Sequence, residues 1–152
     1  HICVLRPKSV GSVKLADANP NSPPLIDPAF LKDERDLDTM LAGVKQAQQI
    51  MQAPSFDAHR GKALYAGASN DDEELKEDIR NRADTIYHPV GTCKMGPDSD
   101  PNAVVDQRLR VRGIKSLRVI DASIMPKIVS GNTNAPSIMI GEKGAHMILE
   151  DA

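Results

Sequence analysis

The longest stretch with sustained helical spacing runs over residues 33–52, and it constrains everything around it. Leu37, Met40, Leu41, Val44, Ala47 and Met51 recur on one face, Asp33 stands where an N-cap belongs, and Pro54 ends the run. A helix with one apolar stripe must bury it against another element. A second helix is expected over residues 71–83, where Leu75, Ile79 and Ala83 form a matching stripe. Asp71, Asp72, Glu73 and Glu74 crowd its first turn, where the macrodipole favours anions. That acidic run reads as a helix start rather than a metal site.

The flanking stretches are less regular. Residues 2–5 and 10–15 hold β-branched and apolar side chains around Pro7, Ser9 and Gly11, the pattern of two strand segments with a bend. Residues 16–29 are a loop by composition, although Leu25, Ile26 and Phe30 need cover. Residues 55–70 are mixed. Past Tyr87 the texture changes: residues 88–101 (HPVGTCKMGPDSDP) are too rich in turn formers for a helix. Residues 103–106 and 109–112 read as short strands flanking a turn, and residues 117–121 (LRVID) as a buried strand ending in an acid. The polar loop 130–136 (SGNTNAP) leads into a third helix over residues 137–150, with Pro136 at its first position.

Composition removes several function classes. With 19 Lys and Arg against 21 Asp and Glu, the net charge of −2 lacks the basic excess that phosphate neutralisation requires, so no nucleic-acid partner is expected. Two Phe, two Tyr and no Trp leave little surface on which bases or sugars stack. Cys3 and Cys93 make no disulfide framework; they read as thiols of a cytoplasmic protein rather than a pair. The longest uncharged run, residues 128–141, is bounded by Lys127 and Glu142 and is too short and too polar to span a bilayer. Two Cys and four His at scattered positions form no metal-ligand pattern, and neither a G-x-G-x-x-G nor a G-x-S-x-G occurs.

Three places remain where chemistry can sit. Loop 130–136 opens on a helix N-terminus, which favours an anion or a polarised oxygen, and Asn132 and Asn134 add donors that do not titrate. The same Asn and Thr residues are also ordinary caps. His88 has a side chain suited to proton exchange near neutrality, and Pro89 pushes it away from helical geometry. A surface loop histidine is the plainer account. Asp121 ends an apolar strand, a position where ligands are often met, or where a chain simply turns.

Residues 88–96 (HPVGTCKMG), 117–126 (LRVIDASIMP) and 131–136 (GNTNAP), in that order before a helix, resemble the carboxyl-terminal region of the glucose–methanol–choline family of flavin oxidoreductases. The likeness is dense over residues 86–150 and looser over residues 1–83. It implies an α+β fold: part of an antiparallel substrate-domain sheet with packed helices in residues 1–87, and in residues 88–152 the segment that carries a catalytic pair and returns to an FAD-binding α/β domain. By the resemblance, His88 accepts the hydroxyl proton of an alcohol while hydride leaves to the flavin, and Asn132 is its partner. Asp121 and Ala122 fall in the segment that touches the ribityl and diphosphate part of FAD, and Thr133 and Asn134 in the segment near the flavin pyrimidine oxygen.

The Asn132 variant is most similar to branches that oxidise a primary alcohol, choline among them, with an acceptor other than oxygen. An oxidase or lyase of the same family, or a non-catalytic relic, are the alternatives. The family's amino-terminal dinucleotide fingerprint is not in this chain. The expectation is therefore a carboxyl-terminal fragment, inactive alone, without tightly held FAD. Its partner would be the missing FAD-binding portion, and its exposed surfaces would be prone to oligomerise.

Overall fold

A computed structural model of the chain describes residues 1–152, the side chain of residue 66 aside. Two compact units are present, residues 1–86 and residues 87–152. In the first, strands β1 (Ser12–Lys14) and β2 (Leu25–Asp27) pair antiparallel, with Val13 opposite Ile26. Helix α1 (Glu34–Met51) follows, and helix α2 (Asp72–Arg82) packs against it. Short 3-10 turns at Pro54–Phe56 and Tyr65–Ala68 fill the connection.

Both helices begin where the carboxylates stand. Asp33 accepts a hydrogen bond from the Arg35 N–H, and Asp71 accepts from the N–H groups of Glu73 and Glu74. Each satisfies first-turn donors that have no partner inside the helix. The Arg35 guanidinium beside Asp33 also holds that carboxyl at about 2. Leu37 and Leu41 of α1 close on Leu75 and Ile79 of α2, with Leu31, Met40 and Val44 at the edge. Fully burying one such side chain contributes roughly 1.5–3 kcal/mol, so four of them in one cluster hold the helix pair together.

Among the described residues of this unit, one polar side chain is buried. Asp36 is 3% exposed, and its two carboxylate oxygens accept the backbone N–H groups of Lys8 and Ser9, each at 2.8 Å. Burial pushes this carboxyl up, but the hydrogen bonds from Ser9 and Lys8 outweigh it and leave the group below its ordinary value. A lowered carboxyl contributes stability above its unfolded value of about 3.9 and loses it as pH falls through the folded value. The unit carrying Asp36 is therefore expected to weaken from about pH 4 downward. In Asp36→Asn that acid sensitivity should flatten, and urea denaturation at pH 7 should show a loss of about 1–3 kcal/mol, the scale of a broken charge-assisted bond.

The second unit holds one long helix, α3 (Asn134–Glu150), laid against a loop meander. Val105, Leu109, Ile124, Met125 and Ile140 form its core. Gly144 brings α3 close to Ile120: a Cβ there would stand 2.4 Å from Ile120 Cγ2, a methyl on a stiff β-branched side chain. At the far end of α3 the Arg108 guanidinium donates to the Met147 carbonyl at 3.1 Å and to Asp151 at 2.8 Å, and Arg118 pairs with Asp151 as well. Cations at a helix C-terminus satisfy carbonyls that the helix leaves open.

The strands differ from expectation in instructive ways. Residues 2–5 form none, and the partner of β1 lies in the stretch read as loop, because Pro24 and Pro28 leave only three residues between them for pairing. The pairing expected over residues 103–106 and 109–112 shrinks to isolated bridges, Val105 with Val111 and Met95 with Val105. The buried strand expected over residues 117–121 is a single bridge at Arg118, and Leu117 is exposed. Leu109 and Ser116 take left-handed backbone angles (φ 62° and 59°), which interrupt a ladder. Helix α3 begins at Asn134, so Pro136 sits third rather than first, still inside the turn where a missing N–H costs nothing. Cys3 and Cys93 are both free, and among the described residues no helix is long and apolar enough to cross a membrane.

Candidate functional site

Backbone hydrogen bonds in the second unit join two of the three sequence motifs, 88–96 and 117–126. The Cys93 N–H donates to the Ser123 carbonyl at 3.0 Å, and the Met95 N–H donates to the Ile124 carbonyl at 2.7 Å. Segment 93–95 is thus stitched along residues 123–124. Gly91 permits the approach: its φ is +91°, and a Cβ there would stand 3.3 Å from the Met125 carbonyl oxygen.

His88 is half-buried, and its Nδ1 lies 3.1 Å from Oγ1 of Thr133, a residue 45 positions away at the start of α3. Loop 88–96 and loop 130–136 therefore meet through an imidazole and a hydroxyl. Tyr87 and Ser130, just ahead of the two site segments, both adopt left-handed backbone angles (φ 62° and 65°). Each costs a non-glycine residue about 1–2 kcal/mol, and such conformations persist where the surroundings over-determine them.

The remaining sequence-selected residues are placed as follows. Asn132 is exposed beside the buried Thr133, and Asn134, also exposed, is the first residue of α3. Asp121 is exposed and accepts the Ser123 N–H at 2.8 Å, capping a 3-10 turn over Ala122–Ile124. The strand-end turn weighed for Asp121 is the geometry present, though it leaves one carboxylate oxygen uncommitted to the cap. Thr133 occupies the N-cap position of α3 without capping it: its side chain makes no cap hydrogen bond, and its backbone (φ −91°, ψ 0°) is helical rather than extended. Pro136, third in the helix, has no N–H to donate, and the N–H of Ala135, second in the helix, is not taken up by the Thr133 side chain either. The first turn consequently keeps the N–H groups of Asn134 and Ala135 without a side-chain cap.

The His88–Thr133 bond was not foreseen from sequence, which assigned the two residues to different tasks. No local signal marked it, because the N–H of Ala135 left Thr133 an ordinary cap partner.

Comparison with known proteins adds an independent line. A family model described as GMC oxidoreductase, for the carboxyl-terminal domain, matches residues 7–141. An alcohol dehydrogenase [acceptor] of Pseudomonas putida is 53% identical over 98% of this chain and 27% of its own length. The mitochondrial choline dehydrogenase of Homo sapiens is 47% identical over 97% of this chain and 25% of its own length. Among solved structures, pyridoxine 4-oxidase from Mesorbium loti superposes with a TM-score of 0.86 at 34% identity, over 93% of this chain and 28% of that one. The chain thus spans about a quarter of the length of the curated relatives it matches.

Proposed function

Because this chain belongs to the GMC oxidoreductase family, whose enzymes are FAD flavoproteins, we propose that it is the part of an FAD-dependent alcohol dehydrogenase that supplies the proton acceptor. The observation that carries this reading is His88, half-buried and hydrogen-bonded to Thr133 at the mouth of α3. The reaction is the oxidation of a primary alcohol to an aldehyde. The alcohol O–H proton passes to His88, the C=O bond forms, and the α-hydrogen departs with its electron pair. Bound FAD supplies the hydride acceptor through its isoalloxazine.

The residues present fit such a group. The first turn of α3 offers uncapped N–H donors at Asn134 and Ala135, and Gly131 has no atom within 4 Å of where a Cβ would stand. An oxygen of the flavin pyrimidine edge suits those donors, and the positive end of the helix favours the electron density that collects there. Asp121 has a carboxylate that accepts from hydroxyl groups such as those of a ribityl chain, and the small Ala122 leaves room beside it. Asn132 holds the substrate oxygen by donation from a group that does not titrate. Apolar side chains exposed on α3, Ile138 and Met139 at 60% and 58%, support a further portion of protein covering this unit and carrying the dinucleotide site.

The identity to an alcohol dehydrogenase [acceptor] favours a dehydrogenase over an oxidase. Anaerobic mixing of the complete protein, this chain joined to its FAD-binding portion and loaded with FAD, with a panel of primary alcohols, choline included, tests the reading. Bleaching of the flavin absorbance is expected, with reoxidation by an artificial dye faster than by oxygen. Failure of every primary alcohol to bleach it would overturn the proposal, and faster reoxidation by oxygen would move the protein to the oxidases.

A further inference from the structure

We infer that Thr133 is the positioning residue for His88: its hydroxyl ties Nδ1 of the imidazole and leaves Nε2 as the nitrogen that meets the alcohol. This rests on the reading of His88 as the proton acceptor.

The first support is distance and depth. Oγ1 of Thr133 stands 3.1 Å from Nδ1 of His88, and Thr133 is only 9% exposed. A hydroxyl at that depth needs a partner, and among the described residues His88 is the one recorded for it. The second is the cap that Thr133 does not make. Asp33 and Asp71 each accept the N–H two residues on, whereas the Thr133 side chain makes no cap bond although Ala135 stands at the same place in its helix. The hydroxyl is released from the helix and goes to the imidazole. The third is the backbone. Tyr87 directly precedes His88, and Ser130 precedes Thr133 by three residues; both left-handed conformations set the direction in which the two segments enter the contact.

The chemistry explains why a hydroxyl suits this position. In a neutral imidazole one nitrogen donates and the other accepts, and the hydrogen bond made by one nitrogen sets the state of the other. For Nε2 to accept a proton, Nδ1 must carry the hydrogen and donate it to Thr133 Oγ1. Once Nε2 has taken the alcohol proton, both nitrogens carry hydrogens, and Nδ1 still donates to the same oxygen. One hydrogen bond therefore serves both protonation states, and nothing must reorganise as the proton moves. A base oriented by a third group is the general arrangement of proton-transfer sites. Here the third group is neutral, so it orients the ring without placing a charge beside the reacting carbon.

The test compares Thr133→Val, which keeps the shape and removes the oxygen, with Thr133→Ser, which keeps the oxygen. In the complete protein, this chain joined to its FAD-binding portion, with FAD and a primary alcohol, Thr133→Val is expected to lower kcat about 10–100-fold, the scale for loss of an orienting partner. KM should stay within about two-fold, because the substrate does not touch this hydroxyl, and Thr133→Ser should recover most of the rate. A second readout needs no turnover: nitrogen NMR of the His88 ring, assigned with His88→Gln. The ring should carry its hydrogen on Nδ1 in the unaltered protein and in Thr133→Ser, and become a tautomer mixture in Thr133→Val. An unaltered protein with the hydrogen on Nε2 would overturn the inference, even if Thr133→Val fails to fold. So would equal losses of kcat in the valine and serine variants. A normal rate in His88→Gln would instead sink the reading of His88 as the base, while the ring spectrum still decides whether Thr133 holds Nδ1.

Discussion

Replacing His88 with alanine in the complete protein, where the FAD-binding portion is joined to this chain, is expected to slow flavin reduction by an alcohol about 10²–10⁴-fold, the usual contribution of a positioned general base. The fold should barely respond. His88 is half-buried and lies outside the cluster of Val105, Leu109, Ile124, Met125 and Ile140, so its removal opens no cavity in that core. What it leaves behind is the buried Thr133 hydroxyl, whose lost hydrogen bond costs about 1 kcal/mol. The prediction is thus a dissociation of two quantities: a rate that collapses and a melting temperature that shifts by only a few degrees. Stopped-flow absorbance at the flavin band measures the first and a thermal scan the second. A variant that reduces at the unaltered rate would remove His88 from the chemistry and favour a unit that keeps its motifs without using them.

The elements legible in the sequence are those specified by neighbours along the chain. Helix α1 runs over Glu34–Met51 and α2 over Asp72–Arg82, within a residue or two of the expected ends. Both carry a 3.6-residue apolar repeat and an aspartate at the first cap, and Pro54 follows the first of them. The elements that escaped depend on partners distant in the chain. Strand β2 is three residues long, lies between Pro24 and Pro28, and exists because Ser12–Lys14 pairs with it. The left-handed angles at Tyr87, Leu109, Ser116 and Ser130 fall on residues with no intrinsic preference for them, so residue type did not announce them.

The site was legible to a similar extent. His88, Thr133 and Asp121 all sit where sequence reasoning placed something of interest, but their couplings were hidden. Asp121 serves the Ser123 N–H, a local bond that its spacing of two residues allows. Thr133 reaches across 45 positions to His88, and nothing in its local sequence announced that its hydroxyl was available. A motif names residues, whereas a hydrogen bond between motifs is a property of the folded unit. By the resemblance Asn132 shares a substrate oxygen with His88, a role that needs no bond between them, and the hydrogen bond found for the imidazole goes to the next residue, Thr133.

Truncating Ile124 to alanine tests the other half of this dependence, the packing that holds the motifs in place. Ile124 is 1% exposed and sits in one cluster with Val105, Leu109, Met125 and Ile140, the last contributed by α3. Its carbonyl receives the Met95 N–H at 2.7 Å, so the residue joins the loop after His88 to the helix that begins beside Thr133. Removing three carbons from so enclosed a place is expected to cost about 2–5 kcal/mol, the transfer free energy together with the cavity left behind. The melting temperature should fall on the order of 10 °C or more, and Ile124→Val, which removes a single methyl, should cost about 0.5–1.5 kcal/mol. A loss below about 1 kcal/mol for the alanine variant would mean that this core is loosely packed and does not fix the loops. The backbone hydrogen bond survives in both variants, because it belongs to the main chain. At temperatures where the alanine variant is still mostly folded, its rate per folded molecule should therefore stay near that of the unaltered protein. His88→Ala is expected to give the reverse, normal stability with little rate. Only if the two variants separate in this way are the chemistry and the scaffold distinct tasks of the same 88–152 segment.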